Sequence, residues 1–224
     1  RQQGNIWVGY AQDRDGWLTD EIRDNIVDQS EYAYFPGCTT SYVEHDVAQS
    51  AALLLKEAGV KFAYLGKEER CCAIPMLVSG RWEVYDETAA LNIANMKKTG
   101  ATTIVTTCPA CRLIWDVYYR KWADEHGVDY PFRARHYSEV LADKIADGTL
   151  KLENNLGRKL TYHDPCHMGR ASGVYEGPRT LLKAIPDSDF RELRFNRDEA
   201  HCCGSVLSLV ANPDVAAEIG KVRI

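Results

Sequence analysis

Eight cysteines carry the reactive chemistry of this chain, and they form a spaced series: Cys38, the pair Cys71 and Cys72, then Cys108 and Cys111, followed by Cys166 and the pair Cys202 and Cys203. The intervals are long and regular, with 32 residues between Cys38 and Cys71, 35 between Cys72 and Cys108, and 35 between Cys166 and Cys202. A disulfide framework does not suit this series. A chain of 224 residues buries about 70% of its unfolded surface without staples, and disulfide-dense chains are usually short and secreted. Nothing at the N-terminus resembles a signal peptide, so a reducing, cytoplasmic setting is expected, in which clustered thiols point to metal or redox chemistry. An ordinary zinc site takes four closely spaced ligands, commonly two CxxC knuckles. Here one CxxC occurs and a fifth cysteine is left over. Adjacent cysteines diverge around one ion but suit a cofactor with several metal corners, so the ligand number favours an iron–sulfur cluster over zinc.

Composition excludes other chemistries. Charged residues make up 26% of the chain with both signs interleaved, and the net charge is −5, so no basic stripe is available for nucleic acid. The longest apolar runs, such as Ala51 to Leu55, fall far short of the roughly 20 residues of a membrane-spanning helix, so the chain has no transmembrane segment of its own and any membrane association comes through partners. No phosphate-cradling glycine loop follows a strand, which argues against a bound nucleotide.

The elements that must position the cysteines repeat along with them. Cys166 lies 128 positions after Cys38, and Cys202 lies 131 after Cys71. In the first copy, Tyr32 to Phe35 reads as a strand ended by Pro36-Gly37, a helix covers Val47 to Ala58, a strand Lys61 to Leu65, and a long amphipathic helix Trp82 to Lys98. The β-branched run Thr102 to Thr106 then reads as a buried parallel strand leading into the CxxC. The second copy repeats a strand at Lys159 to Tyr162, a helix at Pro178 to Ile185, a strand at Phe190 to Phe195, and a helix opening at Asn212-Pro213-Asp214. Its own CxxC, at the same offset, falls near positions 239 and 242, past Ile224. The chain starts at Arg1 and stops within a helical pattern, which reads as a piece of something longer. The expected fold is therefore α/β, with two pseudo-repeated Rossmann-like βαβ halves at 31–152 and 153–224, the second incomplete, and the cluster sites at their junction. Residues 1–30, with Trp7, Tyr10 and Trp17 among glycines, lie outside the repeat and read as an arm or linker.

Tyr34-Phe35-Pro36-Gly37-Cys38-Thr39, Glu69-Arg70-Cys71-Cys72 and Thr107-Cys108-Pro109-Ala110-Cys111 resemble the cysteine-rich CCG domain of the B and D subunits of heterodisulfide reductases. The second set, His163-Asp164-Pro165-Cys166-His167 and His201-Cys202-Cys203-Gly204, resembles it more closely still. The resemblance implies a non-cubane [4Fe-4S] cluster held by Cys38, Cys71, Cys72, Cys108 and Cys111, with Cys166, Cys202 and Cys203 supplying three ligands of a second. It implies an oxidoreductase subunit of a multisubunit complex of anaerobic electron transport, which reduces a disulfide or protein-bound sulfur substrate by single-electron steps. Partners would be ferredoxin-like, flavin, or quinone and haem membrane subunits, and the location cytoplasmic, peripheral on the inner membrane face where partners anchor it. The alternative within the same resemblance is an electron relay of a quinone-linked dehydrogenase with no disulfide substrate. One departure stands out: Ala73 follows the first cysteine pair where the family has glycine, and Gly204 keeps that glycine.

Other residues near the cysteines have plainer readings. Histidine as a residue type suits proton delivery near neutral pH, which makes His163, His167 and His201 candidates, although histidines beside clusters more often hydrogen-bond to backbone or sulfur. Arg70, Arg112 and Arg170 adjoin cysteines and read as ion-pair partners before anion sites. Trp115, Tyr118, Tyr119 and Trp122 follow the CxxC at helical spacing and read as packing residues.

Overall fold

The computed structural model describes residues 6–7, 13–204 and 212–222, and Tyr10 falls outside them. Its contacts divide the chain into two units, 1–141 and 142–224. Both mix helices with a small parallel sheet, an α/β architecture.

In the first unit β1 (Tyr32–Phe35), β2 (Thr103–Thr106) and β3 (Arg133–His136) run parallel in that order, Ala33 facing Ile104 and Ile104 facing Ala134. Parallel neighbours need crossover connections, and helices provide them. Between β1 and β2 lie α2 (Cys38–Tyr42), α3 (His45–Glu57), α4 (Ile74–Val78) and α5 (Trp82–Lys97); α1 (Asp20–Arg23) precedes β1. The strand expected over 61–65 is reduced to two residues on the outer side of β1. The Tyr34 amide donates to the Ala63 carbonyl and the Ala63 amide to that of Tyr32, both at 2.9 Å. Gly66, at φ +57, then turns the chain into a short 3₁₀ segment.

Residues 13–30 are built into this unit. Trp17 has no exposed surface, its ring meets Tyr34 and Tyr64 edge-on at 5.6 and 5.4 Å, and the Asn25 side chain donates to the Val60 carbonyl at 2.9 Å. After β2 the helix begun by α6 (Pro109–Leu113) widens into a π turn over Ile114–Tyr118 and continues as α7 (Tyr119–Glu125). Trp115 and Tyr119 are fully buried and Trp122 nearly so, as the helical spacing predicts, while Tyr118 is 39% exposed. Wide turns of this kind recur beside functional sites.

At the end of β3, His136 is buried between the Thr107 carbonyl, which accepts from Nε2 at 3.0 Å, and the Ser138 hydroxyl at 2.8 Å from Nδ1. Burial pushes its pKa from 6.5 down to about 4, against the pull of Thr107 and Glu139. The unfolded chain therefore takes up the extra proton first, so this contribution to stability is complete above pH 6.5 and is lost as pH falls toward 4. We expect unfolding stability to drop by about 2 kcal/mol between pH 7 and 4.5 from this residue. In urea titrations His136→Asn should lose that part of the pH slope; an unchanged slope would count against the assignment.

After β3, α8 (Tyr137–Ala146) runs past Leu141 into the second unit, where β4 (Arg158–Leu160) pairs in parallel with β5 (Ser188–Phe190) across α9 (Glu176–Lys183). Both strands sit earlier than the pattern predicts. The last rung is the Arg191 amide on the Leu160 carbonyl at 2.8 Å, after which Glu192 leaves the ladder to pair with Arg179 at 2.7 Å. The final helix α10 (Pro213–Lys221) is capped by Asn212, whose side chain accepts from the Val215 amide at 3.2 Å. Among the described residues no helix is long and apolar enough to cross a membrane.

Candidate metal centre

Cys38, Cys71, Cys72, Cys108 and Cys111 come together from three loops of the first unit. Cys38 opens α2 directly after β1, and Cys108 precedes α6 directly after β2, so both occupy the carboxyl ends of parallel strands, where α/β sheets bind ligands. The two loops are tied together: the Pro36 carbonyl accepts from the Thr40 hydroxyl at 2.7 Å and from that of Thr107 at 3.3 Å. The pair Cys71 and Cys72 is held from the helical side. Asn92, with no exposed surface, donates to the Cys71 carbonyl at 3.1 Å, and the Tyr119 hydroxyl donates to that of Cys72 at 3.0 Å.

The sulfurs form a connected run. Cys38 and Cys71 Sγ lie 3.5 Å apart, Cys71 interacts with Cys72, Cys72 with Cys111 and Cys111 with Cys108. Four of the five are 3–7% exposed, and Cys108 is half-buried. Among the described residues no three His, Cys, Asp or Glu side chains converge to hold one metal ion. Crowding splits the thiols electrostatically. Cys72 is pulled down to about 6, first by the Cys111 thiol and then by Cys71, against burial. Cys108 is pulled to about 7 by Cys111 and by the amides of Cys111 and Ala110. Cys38 is pushed well above the usual thiol range by its contact with Cys71 and by burial, and Cys111 by Cys108, Cys72 and burial. Five buried sulfurs cannot all ionise without cations among them, because buried charges must be compensated.

Backbone shape makes the room. Gly37 has φ +82 and ψ 171, and a Cβ there would stand 3.1 Å from Cys111 Sγ. Ala73 occupies the left-handed region, φ +63 and ψ +16, at the start of α4. The turn thus needs the conformation glycine adopts freely, and the methyl group is tolerated under strain. Ala73→Gly should stabilise the protein by roughly 0.5–1 kcal/mol in chemical denaturation. At the matching Gly204 (φ +94) a Cβ would lie 2.5 Å from the Ala216 carbonyl oxygen, so Gly204→Ala should destabilise instead.

The second unit treats its cysteines differently. Cys166, Cys202 and Cys203 are all exposed, and the Gly204 amide donates to Cys202 Sγ at 3.4 Å. Cys166 follows a fully paired Asp164, whose carboxylate takes two 2.7 Å bonds from Arg179 and one of 2.7 Å from the Arg197 amide. His163 and His167 flank that loop half-buried, and burial lowers the His167 pKa. His201 stacks on Phe195 at 4.2 Å, and its Nδ1 hydrogen-bonds the Val222 carbonyl at 3.3 Å.

The three arginines adjoining cysteines are engaged elsewhere. Arg112 is buried and paired with Glu139 at 2.7 Å, Arg70 donates to the Lys67 carbonyl at 2.8 Å, and Arg170 to the Ala200 carbonyl at 2.6 Å. The charged residues against the first set are Arg14 and Glu69, 4% and 1% exposed and paired with each other. Neither stands out in the sequence: Glu69 is only a motif neighbour, and Arg14 sits among the residues that read as an arm, with no periodicity to mark it.

Comparison with known proteins places these observations in a family. Residues 32–114 and 160–224 match the family described as CCG, cysteine-rich domain. The chain is 34% identical over 227 residues to the D subunit of the dihydromethanophenazine:CoB–CoM heterodisulfide reductase of Methanosarcina mazei, covering 100% of this chain and 54% of that protein. It is 33% identical to an EtfAB:quinone oxidoreductase of Syntrophomonas wolfei, over 90% of this chain and 28% of that protein. It is 31% identical to the B subunit of a fumarate reductase (CoM/CoB) of Methanothermobacter marburgensis, over 87% and 37%. The chain thus spans about half, or less, of the length of these relatives. With the cysteines in place and two thirds of its length matched, the chain belongs to the CCG cysteine-rich domain family.

Proposed function

We propose that the chain is the iron–sulfur portion of an oxidoreductase subunit that delivers single electrons to a disulfide or related sulfur substrate within a multisubunit complex. The observation that carries this reading is the convergence of five cysteines from three loops into one connected, buried set. The residues fit such a cofactor. The donor set is all sulfur, and among the described residues it makes a run with no arrangement around a single ion, while the buried polar atoms Arg14 Nη2, Ser41 Oγ and Trp115 Nε1 of the same unit have no hydrogen-bond partner. Cys38, Cys71, Cys72, Cys108 and Cys111 would hold a non-cubane [4Fe-4S] cluster. Bound there, it would supply one-electron steps that a two-electron disulfide cleavage must couple.

The protein's own part is to hold and seal. Gly37 leaves space beside Cys111, Asn92 and Tyr119 fix the carbonyls of the paired cysteines, and Trp115 and Tyr119 keep water from the sheet side. The double family match supports reading the second unit as a copy whose exposed Cys166, Cys202 and Cys203 serve a second, more accessible cofactor, with His163, His167 and His201 nearby as proton donors. Ferredoxin-like, flavin, or quinone and haem subunits would complete the electron path, and the EtfAB:quinone oxidoreductase relative supports a quinone-linked one. A second reading, an electron relay with no sulfur substrate, is favoured by the burial of the first set and by the quinone-linked relative.

Iron and acid-labile sulfide should co-purify with the anaerobically prepared protein; zinc without sulfide would defeat both readings. EPR of the oxidised protein separates them. A paramagnetic signal that appears with added thiol supports sulfur chemistry, and a spectrum indifferent to thiols supports the relay.

A further inference from the structure

We propose that Arg14 sets the electron affinity of the cofactor held at Cys38, by placing a fixed positive charge and a free guanidinium N–H against its sulfur. This rests on the reading of the first cysteine set as an iron–sulfur site. Arg14 lies upstream of every cysteine motif, yet its side chain is buried in the same pocket. Its Cζ stands 5.2 Å from the centre of the Tyr42 ring, and Tyr42 packs in one cluster with Cys38 and Cys71, covered by Ile6 and Trp7. Nη1 is committed to the Glu69 carboxylate, and Nη2 is buried with no hydrogen-bond partner among the described residues.

The other arginines beside the first set are spent. Arg112 makes a two-pronged pair with Glu139, and Arg70 caps the Lys67 and Glu69 carbonyls. Among the described residues, Arg14 is thus the cation of this group with a buried donor still to place. A purely structural ion pair would satisfy both guanidinium ends within the protein. An arginine anchored by one end to Glu69, over the Tyr42 ring that packs with Cys38 and Cys71, is built to stabilise negative charge in that pocket, and the negative charge on an iron–sulfur centre grows when it accepts an electron. Hydrogen bonds to sulfur and local net charge are principal determinants of such potentials.

The test is an EPR-monitored redox titration of the cofactor-loaded protein, with iron and sulfide content measured on each variant. Arg14→Gln should weaken one-electron uptake about tenfold, a midpoint about 59 mV more negative. Arg14→Lys, which keeps the charge and loses the fork, should shift less in the same direction. Protein labelled with 15N-arginine and left unmutated should show a nitrogen hyperfine coupling to the reduced cofactor that Arg14→Lys abolishes, which keeps the question answerable if Arg14→Gln does not fold. Arg14→Gln with a full cofactor and an unchanged midpoint would overturn the inference while leaving the proposed function standing, as would the absence of any nitrogen coupling. Unmutated protein without iron and sulfide would overturn both.

Discussion

Gly37→Val is expected to empty the first thiol set while leaving most of the fold standing. Gly37 holds φ +82 and ψ 171, a region of backbone space essentially closed to side chains, which costs about 1–3 kcal/mol to force. The larger effect is local. A Cβ at this position meets Cys111 Sγ at 3.1 Å and Phe35 Cε1 at 3.8 Å, and Phe35 is fixed by its edge-on contact with Trp115 at 5.4 Å. The sulfur is the atom that gives way, so cofactor affinity should fall about 10- to 100-fold, as when groups supporting a metal site are displaced. Iron and sulfide per chain measure this directly. Gly59→Val is the control: Gly59 also has positive φ, +69, but an added Cβ meets nothing within 4 Å. It should lower stability by about 1–2 kcal/mol and leave the iron content alone. Equal iron loss in both variants would show that general destabilisation, and not the space beside Cys111, governs loading.

Arg179→Met should be the most damaging single change in the second unit. The Arg179 side chain is 1% exposed, with its guanidinium shared between Asp164 at 2.7 Å and Glu192 at 2.7 and 2.9 Å and stacked 5.4 Å from the Tyr162 ring. Removing it strands the Asp164 carboxylate, itself only 3% exposed, beside Glu192. Breaking a buried pair from one side costs about 3–5 kcal/mol. The Glu192 side chain is 31% exposed, so water screens part of this network and a loss of about 2–3 kcal/mol is expected in urea unfolding followed by a probe in residues 142–224. Asp164 immediately precedes Pro165-Cys166, so the same variant should make Cys166 more reactive toward a thiol reagent than Cys202 or Cys203. A stability change below about 0.5 kcal/mol, the size of an ordinary surface substitution, would refute the network's structural role.

The residues that declared themselves in the sequence did so through local signals. The run Tyr32 to Phe35 closed by Pro36-Gly37 and the β-branched run ending at Thr106 mark β1 and β2, and helical periodicity marks α3 and α5, each within two residues of its observed bounds. The five cysteines were legible because strand ends and cysteine spacing coincide. What stayed hidden depends on partners distant in sequence. The strand expected over Lys61–Leu65 shrinks to Phe62 and Ala63 because Gly66 turns the chain away. The strand expected over Phe190–Phe195 slides to Ser188–Phe190 because Glu192 is claimed by Arg179, a pairing between two residues that neither pattern nor spacing connects. Arg14 and Trp17 belong to the core of the first unit although they sit in a glycine-rich stretch with no regular period, and only the three-dimensional contacts reveal them.

The tie between the loops after β1 and β2, through the Pro36 carbonyl, bears on the order of events in the life of the chain. Cys38 leaves the ribosome 73 positions before Cys111, and nothing local draws the two together. Their meeting waits for β1 and β2 to pair, a long-range contact of the kind that forms late and slowly. A zinc finger folds around its metal because its ligands are neighbours in sequence. On the proposed reading the protein would fold first and be loaded afterwards, so scarcity of iron or sulfide would leave behind a folded, empty protein.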